Sequence, residues 1–146
     1  MTQEQESAPP DLRFTIVIVG GGSAGIAVAA RLKRERPSLD IAIIEPATTH
    51  AYQPGWTLVG AGAMKLRSTL EQEGGVIPAG CTWLRAAAAS FQPDENTVTL
   101  EDGRIIAYNR LVGCPGLQLD WGKSEGLKET LGRNGVCSNY SKDPVE

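Results

Sequence analysis

The sequence predicts an α/β fold in which one βαβ unit is followed by a small antiparallel β-meander. The first observation is the apolar, β-branched run FTIVIV (residues 14–19), which enters the glycine turn GGGSAG. The second is the helical stretch IAVAARLKRER, which stops at Pro37. The third is another apolar run, IAII, which ends on Glu45. This order of strand, glycine turn, helix and strand is typical of a Rossmann-like dinucleotide-binding unit.

Three glycines in the predicted turn indicate that this unit binds a dinucleotide. Gly20, Gly22 and Gly25 have the G-x-G-x-x-G spacing and directly follow the first predicted strand. The first allows a tight turn, the second lets a pyrophosphate lie against the backbone, and the third lets the helix approach the strand closely. Ala29, on the same helical face as Gly25, is also small enough for close packing. The spacing therefore predicts a dinucleotide site, with a glycine-rich turn of some other α/β protein as the alternative.

The charges along the predicted helix favour an anion at its N-terminus. Residues 23–30, which begin with Ser23 and Ala24, contain no acid, whereas basic residues crowd the last turns. The positive end of the helix dipole is therefore left for a phosphate. Glu45 follows Gly25 by about 20 residues, a distance at which an acid can accept hydrogen bonds from ribose hydroxyls. Because a carboxylate there would repel a 2′-phosphate, the site favours FAD or NAD over NADP.

The composition argues against several classes of protein. The 146 residues fit one domain, and the formal net charge of −3 gives no basic excess for nucleic acid. No apolar run is long enough to span a bilayer, and residues 1–12 read as a polar tail and not as a secretory signal. His50 is the one histidine, so a metal centre is not expected. The three cysteines, Cys81, Cys114 and Cys137, are far apart and are expected to be free thiols in a reducing compartment.

Residues 46–65 are predicted to form a loop, because prolines, glycines and alanines break any regular element there. This loop leaves the second strand at its carboxyl end, which is where ligands of open α/β sheets bind. The rings of His50, Tyr52 and Trp56 can anchor it. A flavin ring or a substrate could therefore lie against this loop.

Two short helices are predicted after the loop. Leu66 and Leu70, at positions i and i+4, indicate an amphipathic helix over residues 66–73, stopped by Gly74 and Gly75. The second lies near residues 128–131, within a polar and turn-rich stretch over residues 117–146. Because that stretch does not resemble the closing element of a domain, the domain is expected to be incomplete.

From Cys81 onward the pattern changes to short strands separated by turns. Residues 81–92, 97–100 and 105–108 are predicted to form a meander of about three strands, with the turns PDEN and EDGR between them. The alanines at 86–89 have helical propensity, but the length of the run and its flanking rings favour a strand. A short buried strand is then predicted over residues 111–114, ended by Pro115 and Gly116. Gly113 within it would permit close approach of another backbone or of a ligand.

Several motifs together resemble the N-terminal part of bacterial sulfide:quinone oxidoreductases, which are flavoproteins with two dinucleotide-binding domains. The motifs are GGGSAG with IIEP, HAYQPGWTLVG, YNRLVGCPGLQLDW and NGVCSNY. The glycine motif is shared by many flavoproteins, whereas HAYQPGWTLVG and CPGLQLDW are much more specific. The resemblance covers the chain from residue 14 onward. After the polar tail over residues 1–12, it implies the N-terminal part of an FAD-binding domain over residues 13–116 and a connecting segment over residues 117–146.

The resemblance also implies roles for individual residues around FAD. Those at the pyrophosphate would be Gly20, Gly22, Ser23, Ala24 and Gly25. Those at the adenosine would be Glu45 and Pro46 for the ribose, and the backbone of Ala87 and Ala88 for the adenine. Those that pass close to the flavin would be Cys114, Pro115 and Gly116. Cys137 resembles an additional cysteine of some members and is the candidate catalytic residue, with a bystander thiol as the alternative.

In such enzymes sulfide attacks a cysteine-based centre, and electrons pass through FAD to a quinone. The second dinucleotide-binding domain, the cysteine pair of the sulfur chemistry and the membrane-facing helices should lie beyond Glu146. The chain is therefore expected to be inactive by itself and prone to self-association. We expect a cytoplasmic location, with a peripheral membrane position only through the missing part. The alternatives are a non-catalytic nucleotide-binding remnant and part of an NADH:quinone dehydrogenase-like flavoprotein.

Overall fold

A computed structural model describes residues 9–141 and divides them into two compact units. Unit 1 comprises residues 9–47 and 77–115, and unit 2 comprises residues 48–76 and 116–141. Most of the predicted polar tail, residues 1–8, and the last part of the predicted connecting segment, residues 142–146, lie outside the described residues.

The elements follow one another along the chain as strands, helices and short 3₁₀ turns. In chain order the strands and α-helices are β1 (Leu12–Val19), α1 (Ser23–Glu35), β2 (Ile41–Ile44), β3 (Thr49–Ala51), α2 (Trp56–Gly60), β4 (Leu70–Gln72), α3 (Glu73–Val76), β5 (Cys81–Leu84), β6 (Ala88–Gln92), β7 (Thr97–Leu100), β8 (Ile105–Gly113) and α4 (Leu127–Thr130). The 3₁₀ turns are Gln53–Gly55, Leu66–Thr69 and Trp121–Lys123. Among the helices of residues 9–141, none is long and apolar enough to cross a membrane.

Unit 1 is built on one six-stranded sheet with the strand order β5-β2-β1-β8-β7-β6. The first four strands of this order run parallel, and β7 and β6 continue the sheet in antiparallel pairs. The crossover from β1 through α1 to β2 aligns Ile16 with Ile41 and Val19 with Ile44. The predicted fold class, a Rossmann-like parallel core with a small antiparallel meander, is confirmed.

Two hydrophobic clusters cover the two faces of the parallel strands. The cluster on the α1 side contains Ile16, Ile18, Ala29, Ile41 and Ile43, with Ile26, Val28 and Leu32 of the helix packed against it. The opposite cluster joins Val17, Val19, Ala42, Ile44 and Leu84 to side chains of the meander, Val98, Leu100, Ile106 and Tyr108. Because both faces are covered, the central strands have to be apolar at successive positions, which explains the runs VIV and IAII.

The first strand of the predicted meander is wrong, because the stretch CTWLRAAAASFQ forms two strands in different places. Its first part is β5, which pairs parallel with β2 from Ile41 with Cys81 to Ile44 with Leu84. Its second part is β6, which begins at Ala88 and pairs antiparallel with β7. The backbone N–H of Ala86 donates to the carbonyl of Leu84 at 2.9 Å, which turns the chain between the two strands. The meander therefore consists of β6, β7 and β8.

The separate buried strand predicted over residues 111–114 is also wrong. These residues continue β8, which runs unbroken from Ile105 to Gly113. The parallel partner β1 aligns with it from Leu12 with Ile106 to Val19 with Gly113, and this long pairing keeps the backbone extended. Leu111 and Val112 are only partly buried and Gly113 is exposed. A Cβ on Gly113 would meet nothing within 4 Å, so no backbone crosses close to it on the side where a side chain would stand.

Unit 2 contains a two-stranded antiparallel sheet of β3 and β4 and a small core around Trp56 and Val59. The indole N–H of Trp56 donates to the hydroxyl of Thr69 at 3.1 Å, and that hydroxyl donates to the carbonyl of Leu66 at 2.7 Å. At the sheet, Nδ1 of His50 lies 3.4 Å from Oε2 of the buried Glu73. The apolar core of this unit is small, and these polar contacts hold its side chains in place.

Two predictions for unit 2 are wrong. Residues 66–73 do not form one amphipathic helix, because Leu70 pairs with Ala51 in the small sheet and so requires extended backbone. The helix α3 begins after this strand and contains Gly74 and Gly75, the residues predicted to stop a helix. The stretch 46–65 is not an irregular loop throughout, since β3 and α2 lie within it. The short helix predicted near residue 128 is present as α4.

We expect Ile43→Ala to lower the free energy of unfolding by about 2–5 kcal/mol, because it opens a cavity between α1 and the sheet. Ile43 is fully buried and lies between Ile18 and Trp83 in the strand register. Urea denaturation of the unmodified chain and the variant measures the difference. Leu12→Ala, at a position that is 40% exposed, is the control and should cost about 1 kcal/mol or less. Equal losses in the two variants would contradict this assignment of the core.

We expect the thiol of Cys81 to react with iodoacetamide more slowly than that of Cys137. Cys81 is half-buried, and burial raises the pKa of its thiol while nearby Lys33 partly opposes the rise. Cys137 is exposed. Because burial raises the pKa, the reactive thiolate of Cys81 should form, and labelling should accelerate, at a higher pH than in the same protein unfolded in urea. For the same reason, the free energy of unfolding should fall as the pH rises from the pKa of the unfolded thiol to that of the folded one. Mass spectrometry of samples labelled over a series of pH values measures the rates. Equally fast labelling of both thiols at pH 8 would contradict the partial burial of Cys81.

Candidate functional site

The backbones of the glycine turn, α1 and β8 cross at the carboxyl edge of the sheet. Gly20 has a φ of +104°, a left-handed conformation that side chains rarely adopt. A Cβ on Gly20 would collide with the carbonyl oxygen of Cys114, and a Cβ on Gly25 would collide with the carbonyl oxygen of Gly20. Both obstacles are main-chain atoms, which cannot move aside by a rotamer change. Both positions therefore require glycine.

Gly22 stands in a different environment, at the start of α1. Its φ of −64° is ordinary, and a Cβ there would meet nothing within 4 Å. No side chain caps the helix, so the first backbone N–H groups, those of Ser23 and Ala24 among them, have no intrahelical acceptor. The first turn contains no acid and the last turn carries Lys33 and Arg34. An anion at this open end would meet both the free N–H groups and the positive end of the helix dipole.

Glu45 lies directly beside the glycine turn. Its Oε2 accepts a hydrogen bond from the N–H of Gly21 at 2.7 Å, and its Oε1 accepts one from the N–H of Ala47 at 2.7 Å. The residue before it, Ile44, accepts from the N–H of Gly20 at 2.9 Å. The carboxylate is therefore fixed at both oxygens, and each oxygen keeps a further lone pair for a ligand hydroxyl. Pro46, which follows, is exposed.

Two side chains at the end of β5 join this edge, and the sequence analysis missed them. The indole N–H of Trp83 donates to the main-chain carbonyl of Glu45 at 2.9 Å. The guanidinium carbon of Arg85 lies 5.0 Å from the centroid of the Trp83 ring. The contact to Glu45 depends on the parallel pairing of Ile43 with Trp83, between strands about 40 residues apart. No local motif marks such a pairing, so the sequence carries no signal for it.

The remaining predicted cofactor residues of unit 1 lie along the same edge or next to it. Ala87, which precedes β6, and Ala88, its first residue, are half-buried, and the carbonyl of Ala87 accepts from the N–H of Glu101 at 2.9 Å. The N–H of Cys114 donates to the carbonyl of Val19 at 2.7 Å, which extends the β1–β8 pairing by one residue. Pro115 is exposed. Gly116, the first residue of unit 2, has a φ of +75°.

Cys137, the predicted catalytic residue, belongs to unit 2 and is exposed. All three cysteines are free thiols. Within residues 9–141, no group of three or more histidine, cysteine and acidic side chains is placed to hold a metal ion.

The donors and acceptors of this edge fit a dinucleotide. Free N–H groups and open space at Gly22 suit a pyrophosphate, which needs donors and close approach to the backbone. The Glu45 carboxylate suits ribose hydroxyls, which need acceptors. The two requirements are met next to each other, because Glu45 is bonded to the turn itself.

The chain is similar to a known protein family and to proteins of known name. The family model described as pyridine nucleotide-disulphide oxidoreductase matches residues 14–136. The mitochondrial sulfide:quinone oxidoreductase of Dictyostelium discoideum is 47% identical over 90% of this chain and 29% of its own length. The corresponding mouse protein is 41% identical over 91% of this chain and 30% of its own length. The chain thus spans about 30% of the length of these relatives.

A solved structure gives the same result at the level of the fold. The sulfide:quinone oxidoreductase of Aquifex aeolicus superposes with a TM-score of 0.72 at 27% identity, covering 90% of this chain and 30% of the other. Proteins of the matched family, the sulfide:quinone oxidoreductases included, are FAD-binding flavoproteins, so the predicted cofactor is confirmed. The chain belongs to the pyridine nucleotide-disulphide oxidoreductase family and, within it, groups with the sulfide:quinone oxidoreductases.

Proposed function

We propose that this chain supplies the FAD-binding part of a sulfide:quinone oxidoreductase. The observation that carries the proposal is the bond from the Gly21 N–H to the Glu45 carboxylate at 2.7 Å. It joins the phosphate-binding turn to the ribose-binding acid in one rigid edge. Sequence identity of 47% and 41% to sulfide:quinone oxidoreductases supports the choice of this flavoprotein class over others of the same fold.

The residues of unit 1 would bind and orient the cofactor. The N–H groups at Gly22, Ser23 and Ala24 would hold the pyrophosphate, with Gly20 and Gly25 shaping the turn. Glu45 and Pro46 would border the ribose, and the backbone of Ala87 and Ala88 would border the adenine. Cys114, Pro115 and Gly116 would pass close to the flavin ring. When bound, FAD would supply a carrier that takes two electrons from one substrate and releases them to another.

We propose that the complete protein oxidises sulfide and reduces a quinone. Sulfide would be oxidised by two electrons to sulfur at the level of elemental sulfur, with release of its protons, and the quinone would gain those two electrons and take up two protons. Cys137 is the candidate thiol of this chain for that chemistry. Because the chain spans about 30% of its relatives, we propose that residues 13–116 bind FAD, that residues 117–146 connect to further parts, and that the chain alone does not turn over. Self-association and a position at the membrane surface stay predictions.

We expect the purified chain to bind FAD and to show no sulfide-dependent reduction of a quinone. Titration with FAD, followed by quenching of flavin fluorescence, measures the binding. Reduction of decylubiquinone, a soluble quinone, by sulfide in the presence of saturating FAD measures the activity. Failure to bind FAD would overturn the proposed function of the chain.

The same assays separate the alternatives. Sulfide-dependent quinone reduction would contradict the proposed inactivity of the chain alone. Oxidation of NADH with indifference to sulfide would favour the NADH:quinone dehydrogenase alternative. Binding of adenine nucleotides with no preference for FAD would favour a nucleotide-binding remnant.

We expect Gly22→Ala and Gly25→Ala to fail in different ways. Gly22→Ala should leave the fold intact, since its Cβ meets nothing, but should weaken FAD binding by about tenfold or more by crowding the pyrophosphate. Gly25→Ala should lower the free energy of unfolding by about 1–3 kcal/mol or more, because its Cβ meets the Gly20 carbonyl. Gly75→Ala, where a Cβ also meets nothing, is the matched control outside the site. Titration with FAD measures the affinity, and urea denaturation measures the stability. Unchanged FAD affinity in Gly22→Ala would contradict the assignment of the turn to the pyrophosphate.

A further inference from the structure

We propose that Trp83 and Arg85 form a platform on which the adenine of the dinucleotide stacks. The proposal rests on the proposed function, because it assumes that the glycine turn and Glu45 bind a dinucleotide. We call these two side chains the Trp83–Arg85 platform. It would make Arg85 a residue that selects ligands carrying an adenosine.

Two hydrogen bonds that run in opposite directions join the end of β5, where the platform begins, to the ribose-binding acid. The indole N–H of Trp83 donates to the carbonyl of Glu45 at 2.9 Å. The N–H of Glu45 donates to the carbonyl of Leu84 at 3.1 Å. The ends of β2 and β5 are therefore held together at this residue. The indole has a fixed position relative to the backbone whose carboxylate faces the glycine turn.

Arg85 lies over this indole, and among the described residues its positive charge is not paired with an acid. Its guanidinium carbon is 5.0 Å from the ring centroid, within the distance of a cation–π contact. Within residues 9–141, its guanidinium makes no hydrogen bond or ion pair with another side chain. Arg85 is exposed. A planar guanidinium that rests on one aromatic face can take a second flat ring on its other face.

The residues that follow Arg85 have small side chains, which suits a ring stacked on the guanidinium. Directly after Arg85, the N–H of Ala86 donates back to the carbonyl of Leu84 at 2.9 Å and so turns the backbone. The next residues are Ala87 and Ala88, the predicted border of the adenine, and their side chains are single methyl groups. Arg85 therefore follows the two residues that are bonded to the ribose-binding acid and precedes the predicted adenine border, and the next four residues are alanines.

Stacking fits this arginine better than an ion pair with a 2′-phosphate. The carboxylate of Glu45, attached through Trp83, would repel a phosphate at the neighbouring ribose hydroxyl. An adenine carries no charge and offers a flat aromatic face to a cation. The expected contribution is therefore that of a cation–π and stacking contact, and it should require the planar shape of the guanidinium.

The test uses isothermal titration of the 146-residue chain with ADP and with inorganic pyrophosphate. Arg85→Ala should weaken ADP binding by about 3- to 30-fold, the loss of one such contact, and should leave pyrophosphate binding unchanged. Arg85→Lys, which keeps the charge without the plane, should restore only part of the lost affinity. Arg34→Ala, an exposed arginine near the other end of α1, removes the same charge and should bind ADP like the unmodified chain.

The outcomes distinguish this proposal from the function on which it rests. If the unmodified chain binds neither ADP nor FAD, the proposed function fails and the platform fails with it. If the unmodified chain binds ADP and Arg85→Ala binds it equally well, only the platform is overturned. Equal losses for ADP and pyrophosphate, or full recovery by lysine, would show that Arg85 acts through its charge alone and would also overturn stacking.

Discussion

The crossing of main chains at Gly20 is the constraint on which the rest of unit 1 depends. A Cβ on Gly20 would collide with the carbonyl of Cys114, and a Cβ on Gly25 with the carbonyl of Gly20 itself. Three segments, the ends of β1 and β8 and the first turn of α1, are thus packed backbone to backbone at one point. This contact fixes where the helix begins relative to the sheet. As a result, the uncapped N-terminus of α1 lies at the carboxyl edge, where its free N–H groups can donate hydrogen bonds to an anion.

The same edge is tied together by hydrogen bonds that continue each parallel pair past its last strand residue. Gly20 donates to Ile44, Cys114 donates to Val19, and Glu45 donates to Leu84, at 2.7–3.1 Å. The loops that leave the four parallel strands therefore start from fixed positions. A binding edge at this place follows directly from the parallel ladder, because every strand presents its carboxyl end to the same side.

The sequence predicted the parts of unit 1 that local patterns determine. The strand β1, the helix α1 and the strand β2 have distinct periodicities and lie together within about 30 residues. Local patterns could not separate β5 from β6, since the pairing of β5 with β2 is a contact between distant residues. Local patterns also could not show that residues 105–113 form one strand. Glycine at position 113 disfavours a strand, and only the pairing with β1 keeps the backbone extended there. In unit 2, Leu66 and Leu70 have helical spacing, but pairing of Leu70 with Ala51 overrides it. The candidate site shows the same division: its glycines and its acid can be read from the sequence, whereas Trp83 and Arg85 cannot.

The polar groups at this edge are held in place before any ligand arrives. The Glu45 carboxylate is fixed by the amides of Gly21 and Ala47, the Trp83 indole by the carbonyl of Glu45, and the Arg85 guanidinium by the indole. Each group has a partner within the chain, so part of the entropy of ordering these side chains is lost during folding and not during binding. A ligand that bears only phosphates would use the helix end of this series. In the proposed binding mode, a ligand that also carries a ribose and an adenine would use all of it, and an edge ordered in advance would discriminate between the two ligands.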